Sequence, residues 1–145
     1  MLKKMPPVEK VYEAFTAIAD ERVRMYEDHA EVDSSNDERM YTVRWRQDTY
    51  TSDDPATYWQ GYPGYPVIAV WILQGRLRAD RKIIRHASDV PWHDLNDAHK
   101  RDYAAALAEA FHNDPFEDDI LEEGKRVFTQ MKDLDVEIRR SVKKK

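Results

Sequence analysis

Cysteine is absent from the chain. This rules out disulfide staples, thiolate nucleophiles and Cys-ligated zinc or iron–sulfur centres. Glycine is scarce, at four residues in 145, which weighs against a turn-rich β-sandwich and towards helices with solvated faces. Long apolar runs are missing too. The longest is the seven-residue Val67–Leu73, far below the roughly 20 residues that span a bilayer. The opening MLKKMPPVEK has no signal-peptide stretch, so the expected location is the cytoplasm, with no membrane partner. P-loop, dinucleotide and nucleophile-elbow motifs do not occur, nor does EF-hand spacing. No catalytic residue, cofactor or metal is therefore assigned.

What remains is one domain's worth of chain, 1–145, with 41% apolar and 35% charged residues and a net charge of −5. That charge argues against coating a nucleic acid, although a local basic patch is compatible with it. The organising stretch is Gly61–Leu77, GYPGYPVIAVWILQGRL. Two Gly-Tyr-Pro triplets form its entry, Pro66 suits a first helical position and Gly75 a left-handed helix end. These flanks favour a helix over 66–75 despite its Val and Ile content, and an all-apolar helix must be enclosed.

The rest follows in order. Val8, Val11, Tyr12, Phe15, Ile18 and Ala19 draw one apolar stripe, which predicts a helix over 7–20. Alternation over 22–51 predicts a short antiparallel meander. Its clearest strand, RMYTVRWR, turns Tyr41, Val43 and Trp45 to one side and Thr42, Arg44 and Arg46 to the other. Asp54-Pro55 reads as a short helix start, with Tyr58 and Trp59 on the core. Apolar spacing predicts helices over 78–87 and 92–112. Asp114-Pro115-Phe116-Glu117 caps a last helix over 115–140, acidic at its start and basic towards Arg139, Arg140 and Lys143–Lys145. Gly124 inside it implies a close packing contact. The fold expected is α+β: an N-terminal helix, a small antiparallel β-meander, then a helical C-terminal half packed around a buried central helix.

A strand with Tyr41-Thr42-Val43, a polar turn and an apolar helix with Ala69-Val70 together resemble the SWIM zinc-finger family. The match covers about the middle third, Val23–Leu77. In that family a Cys-x-Cys pair follows the strand and a Cys-x-His pair opens the helix. Here Thr51, Asp53, Gly64 and Pro66 stand in those places, and only Asp53 is a metal ligand of any kind. The resemblance therefore implies a hairpin-plus-helix module without zinc, with packing of Tyr58, Trp59, Tyr62 and Tyr65 in the metal's place. It also implies association with DNA or proteins.

Two groups of side chains are candidate sites. Arg78, Arg81, Lys82 and Arg85, with Arg76 and His86 nearby, share a helix face that suits phosphate groups, and Arg44 and Arg46 extend it if their strand lies alongside. A solvated face paired with carboxylates is the plain alternative. Tyr58, Trp59, Tyr62, Tyr65 and Trp71 form an aromatic cluster that suits a ligand or stacked base, or simple core packing. His93 and His99 are six apart, which is not the spacing of two ligands on one helix face. They read as ordinary histidines, as do His29, His86 and His112. The functional expectation is a non-catalytic protein-interaction module, taking an unknown protein partner or a second copy of itself through the last helix or an exposed part of the aromatic cluster. Nucleic-acid or polyanion binding through the basic face is the alternative. An uncharacterised enzyme ranks last, since no nucleophile–base pair is visible.

Overall fold

A computed structural model describes residues 1–140. The chain runs α1 (Glu9–Ala19), β1 (Val23–Met25), β2 (His29–Asp33), β3 (Met40–Arg46) and β4 (Thr49–Ser52). A π-helical turn (Ala56–Gln60) follows, then α2 (Tyr65–Leu73), α3 (Arg81–Arg85), α4 (Trp92–Ala98), α5 (Tyr103–Ala110), α6 (Glu117–Met131) and β5 (Glu137–Ile138). The architecture is α+β, with a five-stranded sheet in the order β1-β2-β3-β4-β5. Its strands pair antiparallel except β4 with β5, which are parallel.

Strand alternation sorts the sheet's faces. Ala30, Val32, Val43, Tyr50 and Ser52 are buried on the inner face, with Tyr41 and Trp45 in register beside them. Arg24, Glu31, Thr42, Arg44, Arg46 and Thr49 occupy the other face. There Arg24 bridges Glu31 at 3.3 Å and reaches Asp33 with two bonds of 2.7 and 3.0 Å. Arg24 sits across from Glu31 on the paired strand, the spacing at which opposite charges meet.

Helix α2 packs on the inner face and against α1, while α1 touches α3, α5 and α6. Pro66 lies in its first turn, Gly75 turns left-handed just beyond its end (φ +82°), and every residue from Pro66 to Ile72 is buried. Helix α1 is more enclosed than its stripe implies, being buried without a break from Lys10 to Ala17. Thr16 joins it to the helices beyond. Its hydroxyl donates to the Ala87 carbonyl at 2.6 Å and accepts the Trp92 indole N–H at 2.8 Å, so three buried polar groups satisfy one another.

Three expected helices are cut short. The expected 92–112 helix is two, because Lys100 and Arg101 are left-handed (φ 52° and 66°). Asp102 then caps α5, accepting the Ala105 N–H at 3.1 Å. The 78–87 helix keeps only Arg81–Arg85, capped by Asp80. Arg78 lies before it, held at its N–H and C=O by the Gln130 amide at 2.7 and 2.8 Å. The 115–140 helix ends at Met131. Beyond it Glu137 donates to the Asp48 carbonyl and Arg139 to the Tyr50 carbonyl, each at 2.9 Å. Covering the open edge of β4 satisfies ladder groups that a longer helix would have left unpaired. Lys143–Lys145 lie outside the described residues.

Candidate functional site

On α1, Lys10 and Glu13 are one turn apart and both buried, at 8% and 4% exposed. Lys10 Nζ stands 3.4 Å from Glu13 Oε2. The Asn96 side-chain amide, arriving from α4, donates to the same oxygen at 3.3 Å. Glu13 Oε1 has no hydrogen-bond partner among the described residues. Over this pair opens a cleft of about 480 Å³. Its walls include Tyr41 from β3, Asp54 and Trp59 from the π-helical turn and its entry, Tyr62 and Tyr65 from the approach to α2, and Arg101 and Tyr103 from the α4–α5 junction. A smaller recess of about 100 Å³ shares Glu13, Tyr41 and Tyr65 and runs on to Arg22.

Burial sets the electrostatics. Loss of solvent raises the Glu13 carboxyl above its ordinary range, against the opposing pull of Lys10 and the Asn96 amide. The same loss works against the Lys10 ammonium as the largest single influence, but Glu13, Tyr103 and Tyr62 together outweigh it and the Lys10 pKa rises. Lys10 also lies 4.3 Å from the centroid of the Tyr103 ring, within reach of a cation–π attraction. Burial likewise raises the phenols of Tyr41, Tyr62 and Tyr65, so all three keep their protons at neutral pH.

Asp54 is the second buried carboxyl on the cleft, 2% exposed. The Ser52 hydroxyl donates to its Oδ1 and the Thr57 N–H to its Oδ2 at 3.1 Å. The Thr57 hydroxyl in turn accepts the Gly64 N–H at 2.9 Å. The end of β4, the π-helical turn and the entry to α2 are thus tied around one carboxylate, which caps the turn as the Asp-Pro pair implies. Gly61 closes the turn at φ +78°. From outside, Arg140 donates to the Trp59 carbonyl at 3.0 Å and Lys4 to the Gln60 carbonyl at 3.1 Å.

Burial raises the Asp54 pKa over the opposing hydrogen bonds. A carboxyl raised above its unfolded value of about 3.9 binds its proton more tightly when folded. Its stabilising contribution is full below that value and is lost as pH rises through the folded pKa. Asp54→Asn removes this term. In urea unfolding from about pH 4 to about pH 8, the variant should gain on the parent as pH rises, levelling off once pH passes the folded pKa. A difference between the two that does not change with pH would show that Asp54 is not held this way.

The structure brings Trp59, Tyr62 and Tyr65 together on the cleft. Trp59 is not on the core as expected. It is 69% exposed, because the π-helical turn aims it past the rim. Tyr58 packs edge-on against Trp59 at 4.7 Å and does not line the cleft. Trp71 lies in the core, edge-on to Tyr50 at 5.5 Å. The basic residues divide. Arg78, Arg81, Lys82 and Arg85 are exposed and away from the cleft, whereas Arg76 binds Asp48 at 2.6 Å beside β4. Arg44 and Arg46 face out from the sheet, while α3 packs on α1 and α6. His93 lines the cleft, and His99 pairs with Glu109 at 2.7 Å. Among the described residues no three His, Asp or Glu side chains form a metal-holding group.

Sequence reasoning missed Lys10, Glu13, Asp54, Arg101 and Tyr103 as site residues. Lys10 and Glu13 fall beside the α1 stripe, where charges normally meet solvent. The usable signal was the Asp54-Pro55 cap next to the tyrosine-rich entry.

The family model for uncharacterised conserved protein UCP014422 matches residues 3–137. The chain belongs to that family. The match runs from ahead of α1 to the first residue of β5 and takes in every residue named here as lining the cleft. No curated protein and no solved structure matches this UCP014422 member. No helix among its described residues is long and apolar enough to cross a membrane.

Proposed function

We propose that this protein binds a small molecule in the cleft above Lys10 and Glu13. One observation carries the reading: a buried ion pair, one of whose oxygens lacks a partner, floors an open cleft. A buried pair of this kind adds little net stability, and a carboxylate oxygen without a protein partner has acceptor capacity to spare. Such a group is retained more readily where a ligand satisfies it. The volume falls within the range of small-molecule sites, roughly 300–1,000 Å³, and aromatic walls with a few convergent polar groups are their usual lining. Trp59 at the rim offers a reporter. In a fragment screen read by ligand-observed NMR and Trp fluorescence, hits should bind the parent protein and lose most of their affinity on Tyr65→Ala. A screen without hits, or hits indifferent to Tyr65, would overturn the reading.

A second reading rests on another face. Arg78, Arg81, Lys82 and Arg85 are exposed, and none has an ion-pair partner among the described residues. Four free cations side by side suit a polyanion such as a nucleic acid. Retention on heparin should fall steeply with salt and largely vanish in Arg81→Ala/Arg85→Ala; flow-through at low salt would remove this reading. Association with another protein or a second copy has less to draw on at α6, since Ile120, Val127 and Met131 of its apolar stripe are already buried in the core.

A further inference from the structure

Resting on the small-molecule reading, we infer that the cleft recognises a planar heterocycle whose edge sets a carbonyl beside an N–H, as a pyrimidine base or a lactam does. The floor presents a donor and an acceptor side by side. Lys10 gives Glu13 Oε2 one contact at 3.4 Å, and an ammonium has three N–H donors. Glu13 Oε1, the other oxygen of the same carboxylate, accepts nothing among the described residues. The complement of an adjacent N–H donor and oxygen acceptor is an adjacent C=O and N–H. The cis-amide edge of a lactam or pyrimidine ring presents these two groups next to each other.

The walls narrow the choice further. Tyr41, Trp59, Tyr62, Tyr65 and Tyr103 surround the opening. Flat aromatic walls favour a flat ligand through stacking. An aromatic cage with carboxylates would also suit an organic cation, but that place is taken, since the Lys10 ammonium already lies over the Tyr103 ring at 4.3 Å. A sugar would stack as well, yet it offers hydroxyls rather than a fixed acceptor–donor edge.

The test changes the ligand and leaves the protein intact, so that a misfolded variant cannot confuse it. Binding of uridine, 3-methyluridine, glucose and tetramethylammonium is measured by calorimetry and by tryptophan fluorescence. Uridine should bind, and methylating its N–H should weaken binding on the order of tenfold to a hundredfold, because a buried acceptor is then left unpaired. Equal affinity for uridine and 3-methyluridine would overturn the inference. So would binding of glucose or tetramethylammonium alone, although the small-molecule reading would survive that result. If none binds and the fragment screen is also empty, both fall. A short oligouridine identifies the carrier of the edge. Affinity equal to that of uridine points to a free nucleoside or base, and tighter, salt-sensitive affinity to a base within a single strand. Either result upholds recognition of the edge.

Discussion

Gly124→Ala is expected to destabilise the protein by about 2 kcal/mol, although alanine is the better helix former. The helix gain at an interior position is about 1 kcal/mol. Against it stands the Tyr12 ring, which a Cβ at position 124 would overlap. Tyr12 has nowhere to go. It is 1% exposed, its hydroxyl donates to the Leu121 carbonyl at 2.7 Å, and its ring meets Phe15 and Phe111 edge-on. Forcing a methyl into a packed core costs roughly 1–3 kcal/mol, and more where neighbours cannot shift, so sterics outweigh propensity. The measurement is the urea midpoint at unchanged m-value. A midpoint at or above the parent's would mean that α6 and α1 do not approach this closely.

Gly64→Ala should be costly for a related reason and should also reach the cleft. A Cβ there would overlap the Asp54 carboxylate and lie 3.2 Å from the Ala56 Cβ. Asp54 cannot yield without releasing Ser52 and Thr57, and Gly64 cannot retreat without losing its bond to the Thr57 hydroxyl. A loss of about 2 kcal/mol follows, together with weaker binding of any cleft ligand, because this knot shapes one wall. The decisive measurement is a double-mutant cycle with Asp54→Ala. Removing the carboxylate removes the overlap, so the two losses should fall short of additivity by roughly 0.5–3 kcal/mol. Strict additivity would show that the two residues do not meet.

The same glycines show how far the chain can be read locally. Gly124 within an otherwise strong amphipathic pattern signals a close approach, and the structure supplies Tyr12 as the neighbour. Nothing in the sequence names that partner, 112 residues away along the chain. The helix over Val67–Leu73 was legible from Pro66 and Gly75, which act within a few residues. The split between α4 and α5 was not, because Lys100 and Arg101 take left-handed angles without a glycine to announce them. The end of α6 was missed because apolar spacing at Leu134 and Ile138 continues a helical pattern, while the open edge of β4 recruits that segment as a strand.

For the candidate site the division is sharper. Composition, the helix caps, the strand alternation and the presence of a tyrosine-rich entry to a buried helix were set by the order of residues, because each depends on neighbours close along the chain. That Lys10 and Glu13 are buried rather than solvated, that Asn96 and Tyr103 meet them, and that Trp59 leaves the core were decided by tertiary packing alone. A charged side chain beside an apolar stripe carries no mark of what will be laid over it. Only when α4, α5 and the π-helical turn close around α1 does an ordinary Lys–Glu pair become the floor of a cleft.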